Sequence, residues 1–536
     1  MSENSFFWRV FAKRTLICFT TMMLLFLSCV LRVAVTATSE YDEELWQRNC
    51  YKMKIGSLRG TVYDCNMVPI TNSKTKIIAA VSPTEKAITG ISSVLEGEEL
   101  QKVLESLNNG DPAVCEVPED IKCDGIVTTK IYENSGNETP AIHLIGYTDS
   151  ENKGVSGIEQ AYDSLLYSDK EVRVYFESDG KGNILEGAEA VIENDTNVVA
   201  TGVVATIDVN IQNIAEKAAL NIESGAVVVA EAQSGKIRAM VSRPFYDCEN
   251  IGQYLNDESS PLLNRAINAY NVGSVFKPCV SIAGIENGKS EFYYNCTGSH
   301  KIIDRYFKCH KADGHGFMNL KSALANSCNT FFYNFAFKIG GEAIYNTASA
   351  LNFGKSLKLC DGLYTASGSL PEKTSLKNLA TLANFSIGQG KLTLSPVSIL
   401  TLYCAIATDG AYYLPSVVEG SLKDGKFTEY DTGKRTRVMK NDTAAVLREY
   451  LAAVITEGTG EDAKPETVTA AGKTATAQTG KYEDGVEISQ GWFCGFFPAE
   501  SPEYVVVVFS ENTKKQIKSC NKIFSEIADN ITSMIF

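Results

Sequence analysis

A serine and a lysine three positions apart, at a predicted turn into a helix, constrain the fold of this chain most strongly. The segment Asn271–Pro278 holds Ser274 and Lys277. Gly273 permits a tight turn, so Ser274 is predicted at a helix N-terminus with Lys277 one turn along on the same face. A serine hydroxyl needs a neighbouring base, and a desolvated lysine with a lowered pKa can serve. The helix N-terminus also favours the oxyanion of acyl transfer.

The S-x-x-K pattern is weak alone, because a serine and a lysine often share an ordinary helix. Two further elements strengthen it. An S-x-N turn, Ser327-Cys328-Asn329, lies 53 residues after Ser274, and Lys473-Thr474-Ala475-Thr476 lies on a predicted strand near the end. Three elements in this order resemble the signature of penicillin-binding proteins and class A β-lactamases. A Ser-His-Asp enzyme is poorly supplied, since the chain has 4 histidines and no G-x-S-x-G elbow.

The chain resembles the class B (monofunctional) penicillin-binding proteins over nearly its whole length. The similarity extends to stretches without direct chemistry. These are Arg59–Asp64, Gly157–Glu159 with Tyr162 and Asp163, Asn264–Ala266, Ser386–Gly390, Glu457–Gly460 and Gly491–Phe493.

The resemblance implies a peptidoglycan D,D-transpeptidase that cross-links stem peptides outside the membrane and is acylated by penicillin. Ser274 would attack the D-Ala–D-Ala carbonyl, and Lys277 would take the serine proton. Ser327 would relay a proton to or from the leaving group, and Asn329 would bind the substrate amide. An amine of a neighbouring strand would then resolve the acyl-enzyme. No organic cofactor is implied.

The third motif would bind the substrate's end. By the same resemblance, Lys473 and Thr474 would hold the terminal carboxylate of D-Ala or of a β-lactam. Backbone N–H groups of Ser274 and Thr476 would form the oxyanion hole. The family's third motif usually reads K-T-G, and Ala475 replaces the glycine here. We expect its methyl to crowd the substrate, with a modest effect on acylation.

Other functions share these motifs. A β-lactamase or β-lactam sensor is disfavoured, because nothing suggests the deacylating glutamate of class A enzymes and a long N-terminal region would be unnecessary. A D,D-carboxypeptidase, which passes the acyl group to water, stays open. A catalytically weak cell-wall scaffold is disfavoured because all the motif residues are present together.

An apolar segment near the N-terminus predicts a membrane anchor. Thr15 to Leu31 carries no charge; basic residues precede it and acidic residues follow. A run of this length is at the lower limit for spanning a bilayer, and the basic flank places the N-terminus in the cytoplasm. A cleaved signal peptide ending near Val35-Thr36-Ala37 is the alternative. Either way the catalytic part is extracytoplasmic, and the anchored protein is single-pass in the cell membrane.

Helical and strand patterns predict an α+β fold. Asp208 can cap an amphipathic helix, and Ala226–Ala230 and Ile237–Val241 form a predicted hairpin. Further strands and a closing helix follow near the C-terminus, which indicates helices packed against an antiparallel sheet. With the resemblance this gives a serine-transpeptidase fold with a helical subdomain. The predicted domains are 1–38 (tail and anchor), 39–200 (a pedestal or dimerisation-type domain) and 201–536 (transpeptidase domain).

Four residues form a predicted structural zinc site: Cys296, Cys309, His315 and Cys328. Their spacing, C-x12-C-x5-H-x12-C, is looser than a zinc finger, but Cys₃His is a common closed zinc set. The middle residue of an S-x-N turn tends to point away from the substrate, so Cys328 can tether the turn from behind. Some elongation-type members of the family carry zinc beside the active site, which supports the site. A Cys296–Cys309 disulfide and free buried thiols are the alternatives, and His310 is the substitute ligand.

Composition limits the partners. The net charge of -14 argues against nucleic acid, since phosphate binding needs a basic surface. Of 15 cysteines two lie in the apolar segment, which leaves an odd number and argues against a complete disulfide scaffold. The expected partners are peptidoglycan stem peptides, β-lactams and, because class B members lack a glycosyltransferase domain, a polytopic membrane glycan polymerase.

Overall fold

The chain folds into two compact units whose segments alternate along the sequence. Residues 1–56, 76–131 and 171–194 form the first, and residues 57–75, 132–170 and 195–536 form the second. The boundaries at 38 and 200 stay a prediction, and the acidic residues that follow the apolar segment lie outside the described residues. The computed structural model describes residues 3–38, 50–134, 139–179, 181, 183–185, 190–195, 197–431, 433–483, 485–511 and 517–535.

The first unit begins with one long apolar helix, Glu3–Thr38, which includes the alternative cleavage site. Its segment Phe6–Val35 is long and apolar enough to cross a membrane, with a mean hydropathy of 2.2. Its large apolar side chains, such as Phe6 and Leu25, are exposed to more than half of their surface. Such a helix needs an apolar environment to cover it.

The rest of the first unit consists of two three-stranded sheets and two helices. Lys74–Val81 is the central strand of one sheet, and its apolar residues pack against the helices Glu85–Ser92 and Gly97–Asn108. Thr84 caps the first of these helices by accepting the N–H of Ala87. The remaining strands are Cys50–Ser57, Ala113–Val117, Ile126–Glu133, Glu171–Glu177 and Val191–Glu193.

A five-stranded antiparallel sheet forms the centre of the second unit. Its strands are β1 (Gly225–Glu231), β2 (Ile237–Arg243), β3 (Ala471–Glu483), β4 (Val486–Phe497) and β5 (Tyr504–Ser510). They lie in the order β2-β1-β5-β4-β3, so β3, which carries the third motif, is an edge strand. The predicted β1–β2 hairpin and the α+β class are both confirmed.

Both faces of this sheet are covered, which explains why β1 reads as a continuous apolar run. Val227 and Val229 face the core formed with the helices Val209–Ala218 and Ile517–Ile535. Alternate residues such as Val228 face the opposite core. Helix Pro396–Ala407 belongs to that core and is buried along its whole length. Asp208 caps Val209–Ala218 as predicted.

A second sheet of this unit contains a short parallel pair. Strand Thr61–Tyr63 pairs with Gly202–Ala205, and an antiparallel hairpin, Val418–Lys423 with Lys426–Glu429, extends the sheet. Next to it, Arg59 forms a fully buried ion pair with Glu159, 2.6 Å apart.

The other elements of the second unit build its helical part and small hairpins. Its helices are Ile142–Ile145, Gly157–Ala161, Asp163–Leu166, Asn197–Ala200, Lys277–Glu286, Leu320–Ala325, Asn329–Ile339, Gly341–Ala350, Leu379–Ser386 and Asn441–Glu457. The 3-10 turns are Ala219–Asn221, Ile251–Tyr254, Gly273–Phe276, Lys373–Lys377 and Glu461–Ala463. The short strands are Tyr270–Asn271, Tyr294–Cys296, Ser299–Ile302, Arg305–Lys308, Gly316–Met318, Lys358–Cys360, Leu363–Tyr364, Thr393–Leu394, Ala411–Tyr412 and Thr436–Arg437.

Candidate active site

Ser274 lies in a tight turn that packs against the edge strand. The turn Gly273–Phe276 is a 3-10 helix, and the α-helix starts only at Lys277, whose N–H donates to the Ser274 carbonyl. Gly273 has φ +60°, a left-handed conformation that favours glycine. A Cβ at that position would lie 3.2 Å from the Cβ of Ala477 on β3. Ser274 is therefore a half-buried residue held beside the third motif.

Lys277 joins the first motif to the second. Its side chain is fully buried, and its Nζ donates to the Ser327 carbonyl at 2.7 Å, to Ser327 Oγ at 3.1 Å and to Asn329 Oδ1 at 2.8 Å. Three donors meet three acceptors, which satisfies the whole ammonium. All three bonds go to the S-x-N turn rather than to Ser274.

The electrostatic setting of Lys277 suits a base. Burial lowers the pKa of Lys277 to about 7, against a weaker opposing effect from Cys328 and Cys309, whose negative charge raises it. The ring of Phe332 lies 5.3 Å from Nζ. A lysine with a pKa near neutrality is deprotonated in a large fraction of molecules at physiological pH, so it can accept a proton.

The S-x-N turn has an unusual backbone conformation. Ser327 has φ +52°, which a residue other than glycine seldom adopts. The Cys328 N–H donates to the Ala323 carbonyl at 2.9 Å, and Cys328 is fully buried. The turn is thus held by the helix before it, and Ser327 stays close to Lys277.

Thr459 connects the second motif to the third. Its N–H donates to the Ala325 carbonyl at 3.0 Å, and its hydroxyl lies 2.9 Å from the hydroxyl of Thr474. A Cβ on the preceding Gly458 would overlap the same Ala325 carbonyl oxygen. These contacts give a structural reason for a glycine–threonine pair in a segment that the sequence showed only as a family resemblance.

Lys473 and Thr474 form the wall of the cleft on β3. Lys473 is fully buried, and its Nζ donates to the Thr474 carbonyl at 3.0 Å. Burial lowers the pKa of Lys473 well below its usual 10.5, and the positive charge of Lys277 lowers it further. Thr476, two residues on, is exposed. The strand therefore presents a buried cation, a hydroxyl and an open backbone edge in succession.

Ala475 does not have the predicted effect on the cleft. It is 4% exposed and belongs to the apolar core that contains its cross-strand partner Trp492. Successive residues of a strand point to opposite faces, so the methyl of Ala475 faces the core while Thr474 and Thr476 face the cleft. The expectation that this methyl crowds the substrate is therefore wrong.

Behind the S-x-N turn, the structure brings together the four predicted metal ligands. Their ligand atoms all lie within 4.8 Å of one another. His315 Nδ1 is 3.5 Å from Cys296 Sγ and 3.6 Å from Cys309 Sγ, and the sulfurs of Cys309 and Cys328 are 3.9 Å apart. Zinc bonds of about 2.3 Å to sulfur and 2.0 Å to nitrogen give tetrahedral edges of about 3.8 Å and 3.6 Å. The donor set thus has the dimensions of a tetrahedral zinc site.

The protonation of this cluster favours metal over two neutral thiols. A hydrogen bond from Cys328 lowers the pKa of the Cys309 thiol and raises that of Cys328. Burial lowers the pKa of His315, so its imidazole is neutral. All 15 cysteines lie in described parts of the chain, and each is a free thiol. His310 contacts Cys309 across 3.9 Å but is exposed.

An open groove continues the cleft beyond Asn329. Its volume is about 450 Å³, and Gln478 of β3 lies on its wall. Arg305 and Lys308 line it as well. Sequence reasoning did not single out these residues, because no motif marks them and only the fold brings them beside the cleft.

Comparison with protein families and relatives agrees with this geometry. The penicillin binding protein transpeptidase domain family matches residues 225–529. Stage V sporulation protein D of Bacillus subtilis is 26% identical over 529 residues, which cover 91% of this chain and 79% of that protein. The peptidoglycan D,D-transpeptidase MrdA of Acinetobacter baumannii is 26% identical over 424 residues, which cover 69% of this chain and 62% of that protein. The chain thus spans less than two thirds of MrdA.

Solved structures share the fold. The D,D-transpeptidase domain of a peptidoglycan glycosyltransferase from Eggerthella lenta has a TM-score of 0.65 at 21% identity, covering 89% of this chain and 99% of that chain. Penicillin-binding protein 3 of Mycobacterium tuberculosis, complexed with aztreonam, has a TM-score of 0.65 at 21% identity, covering 90% and 97%. At this identity the likeness shows the fold alone.

Proposed function

The chain belongs to the penicillin-binding protein transpeptidase family, and from that premise we propose that it cross-links peptidoglycan stem peptides through an acyl-enzyme on Ser274. The observation that carries the proposal is the position of Lys277. Its buried Nζ, beside the nucleophile turn, contacts both Ser327 and Asn329. The names of relatives such as the D,D-transpeptidase MrdA support the same reaction.

Acylation begins when Lys277 is a neutral amine. Ser274 Oγ bonds to the carbonyl carbon of the penultimate D-Ala, and its proton passes to Lys277 Nζ. The N–H groups of Ser274 and Thr476 stabilise the oxyanion of the tetrahedral intermediate. Collapse of this intermediate breaks the C–N bond of the peptide. A proton returned through Ser327 leaves D-Ala as a free amine, and the acyl ester remains on Ser274.

The acyl-enzyme then reacts with an amine of a second stem peptide. The amine attacks the ester carbonyl, the same groups stabilise the oxyanion, and Ser274 recovers its proton as the new peptide bond forms. Asn329 orients the donor amide in both steps. Lys473 and Thr474 hold the terminal carboxylate of the donor, and the carboxylate of a β-lactam occupies the same position.

The Cys296–Cys309–His315–Cys328 cluster holds a structural zinc ion in this proposal. The donor distances support it, since they match a tetrahedral Cys₃His site. Zinc would neutralise the charge of the thiolates and fix the turn that carries Cys328. Because Cys328 lies between Ser327 and Asn329, a rigid ligand here positions both active-site residues from behind.

The N-terminal helix is a single-pass anchor in this proposal. Basic residues Arg9, Lys13 and Arg14 at its start place the N-terminus in the cytoplasm and the transpeptidase domain outside. The expected partner is a polytopic membrane glycan polymerase that supplies the strands to be cross-linked.

Intact-protein mass spectrometry after benzylpenicillin treatment tests the nucleophile. We expect one penicilloyl adduct, located at Ser274 by peptide mapping and absent in Ser274→Ala. An adduct on another residue would contradict the assignment. The stability of the adduct separates a transpeptidase from a β-lactamase, because a hydrolase loses it within minutes.

The fate of the acyl group separates the remaining alternatives. With stem pentapeptides and an acceptor amine, a transpeptidase yields a cross-linked dimer, whereas a D,D-carboxypeptidase yields only tetrapeptide and D-Ala. A chain with no adduct and no product would be a scaffold.

A further inference from the structure

The groove beyond Asn329 has a distinct charge. Arg305 and Lys308 are the charged residues that line it, and no carboxylate does so in the described part of the chain. Both are exposed, and neither takes part in an ion pair with a residue that the structure describes. In a chain with a net charge of -14, two unpaired cations beside the catalytic cleft form a local positive field.

The hairpin that supplies these cations is firmly placed. Strands Ser299–Ile302 and Arg305–Lys308 pair in regular antiparallel register. Ile302 is buried and packs with Tyr333 and Ala383 of neighbouring helices. The Tyr333 hydroxyl also donates to the Lys308 carbonyl at 3.4 Å. The two cations are therefore attached to a packed element and not to a free loop.

The edge strand shows which part of a substrate reaches this groove. With the donor carboxylate at Thr474 and the scissile carbonyl at Thr476, the donor peptide runs along β3 towards Gln478. Four residues of strand separate Thr474 from Gln478, or about 13 Å. An extended D-Ala–D-Ala unit covers about half of that distance. The residue that precedes D-Ala–D-Ala therefore lies opposite the groove.

Polar amides complete the groove. Asn384 and Gln389 come from the segment that packs on the nucleophile turn, and Gln478 faces them from β3. Amide groups bind either a carboxylate or an amine, so they do not decide the charge of the ligand. Arg305 and Lys308 do, since they attract a carboxylate and repel an ammonium.

We propose that this groove is a specificity subsite for a carboxylate on the donor residue that precedes D-Ala–D-Ala. Arg305 and Lys308 bind it, so the chain prefers a donor whose third residue ends in a carboxylate over one that ends in an amide or an ammonium. The proposal rests on the proposed function and names the substrate class of that site.

Three model donors of equal length test the subsite. They are N-acetyl-X-D-Ala-D-Ala peptides in which X is L-2-aminopimelate, its ω-amide or L-lysine. The rate of D-Ala release far below saturation gives kcat/KM for each. We expect the full chain to prefer the carboxylate to the ammonium by about tenfold at low salt, and less at 0.5 M salt because screening weakens exposed charges.

Substitutions then locate the preference. Arg305→Gln with Lys308→Gln is expected to bring the three peptides to about equal kcat/KM. Arg305→Gln alone, which leaves the neighbour of Cys309 intact, is expected to reduce the preference about threefold. Lys301→Gln is the matched control, because it removes the same charge from the same hairpin at a position that does not line the groove. It is expected to keep the wild-type preference.

The outcomes separate the two proposals. An unchanged carboxylate preference in the double variant, while that variant still forms a penicilloyl adduct, would overturn the subsite and leave the proposed function standing. Equal kcat/KM for all three peptides in the unaltered chain would overturn it too. Failure of the unaltered chain to form an adduct or release D-Ala would overturn the proposed function, and the subsite with it.

Discussion

The backbone of Gly388 packs directly on the backbone of Gly273. The Gly273 N–H donates to the Gly388 carbonyl at 2.9 Å, and a Cβ on Gly388 would overlap the Gly273 carbonyl oxygen. A segment more than a hundred residues away along the sequence therefore fixes the turn that carries Ser274. The Tyr403 hydroxyl holds the same turn from inside by donating to the Val275 carbonyl at 3.1 Å.

Gly388→Ala is expected to slow acylation without removing any catalytic group. The new methyl must displace the Gly273 backbone, and Gly388 also has φ +74°. A displacement of the nucleophile by a fraction of an ångström costs about tenfold or more in rate. Stopped-flow acylation by a fluorescent penicillin measures it. Gly390→Ala is the control, because it has a similar φ of +83° but only an ordinary contact of 3.5 Å. Equal losses in both variants would assign the effect to backbone strain alone.

The acylation rate is expected to follow the titration of Lys277. Its pKa is about 7, and the neutral amine is the active form, so the rate rises with pH. The second-order rate constant for benzylpenicillin should increase about tenfold between pH 6 and pH 8 and then level off. Lys277→Arg should lose both the rate and this pH dependence. A rate that falls as pH rises through 7 would contradict a lysine base.

Cys309→Ser is expected to remove zinc from the protein. Elemental analysis of anaerobically purified protein should give about one zinc ion per chain, and close to none in the variant. The melting temperature and the acylation rate should both fall, since the metal holds the Ser327–Asn329 turn. Cys404→Ser is the control, as Cys404 is an equally buried free thiol outside the cluster. Zinc-free wild-type protein with full activity would refute the metal site.

Chelation should affect catalysis before it affects the fold. A membrane-permeant zinc chelator added to the wild-type chain is expected to slow acylation while the far-UV circular dichroism stays unchanged. The reason is that the cluster holds one turn, whereas the five-stranded sheet has its own apolar cores. Simultaneous loss of rate and of secondary structure would show that the cluster supports the whole domain.

Ala475→Gly is expected to cost stability and leave acylation nearly unchanged. The methyl is buried in the core, so its removal should cost about 1 kcal/mol of the free energy of unfolding. Differential scanning fluorimetry should show a melting temperature lower by about 2 °C. An acylation rate several times higher than that of the wild type would show instead that the methyl obstructs the substrate.

Sequence reasoning was most successful where chemistry restricts residue type. A nucleophile, its base and a carboxylate-binding pair have few alternatives, so Ser274, Lys277 and Lys473 were found from spacing alone. The cysteines and His315 of the cluster were found for the same reason, because few residues bind a soft metal. The β1–β2 hairpin followed from two apolar runs around Gly235, which has φ +72°.

Contacts between distant segments could not be read from the sequence. Strand Thr61–Tyr63, at three residues, is too short to show a period, yet it pairs in parallel with Gly202–Ala205. The burial of Ala475 depends on which face of β3 meets the core, and a motif does not state this. The same holds for Arg305 and Lys308, since only the placement of their hairpin brings them to the cleft.

The position of β3 at the edge of the central sheet has a cost for solubility. An edge strand presents unpaired backbone groups to any extended chain, including an unfolded copy of the same protein. The strand lowers this risk in two ways that the structure shows: Thr476 and Gln478 are polar, and the pairing with β4 is irregular between Gln478 and Tyr482. A variant that makes these two side chains apolar should therefore aggregate from the folded state, even though it loses no contact of the core.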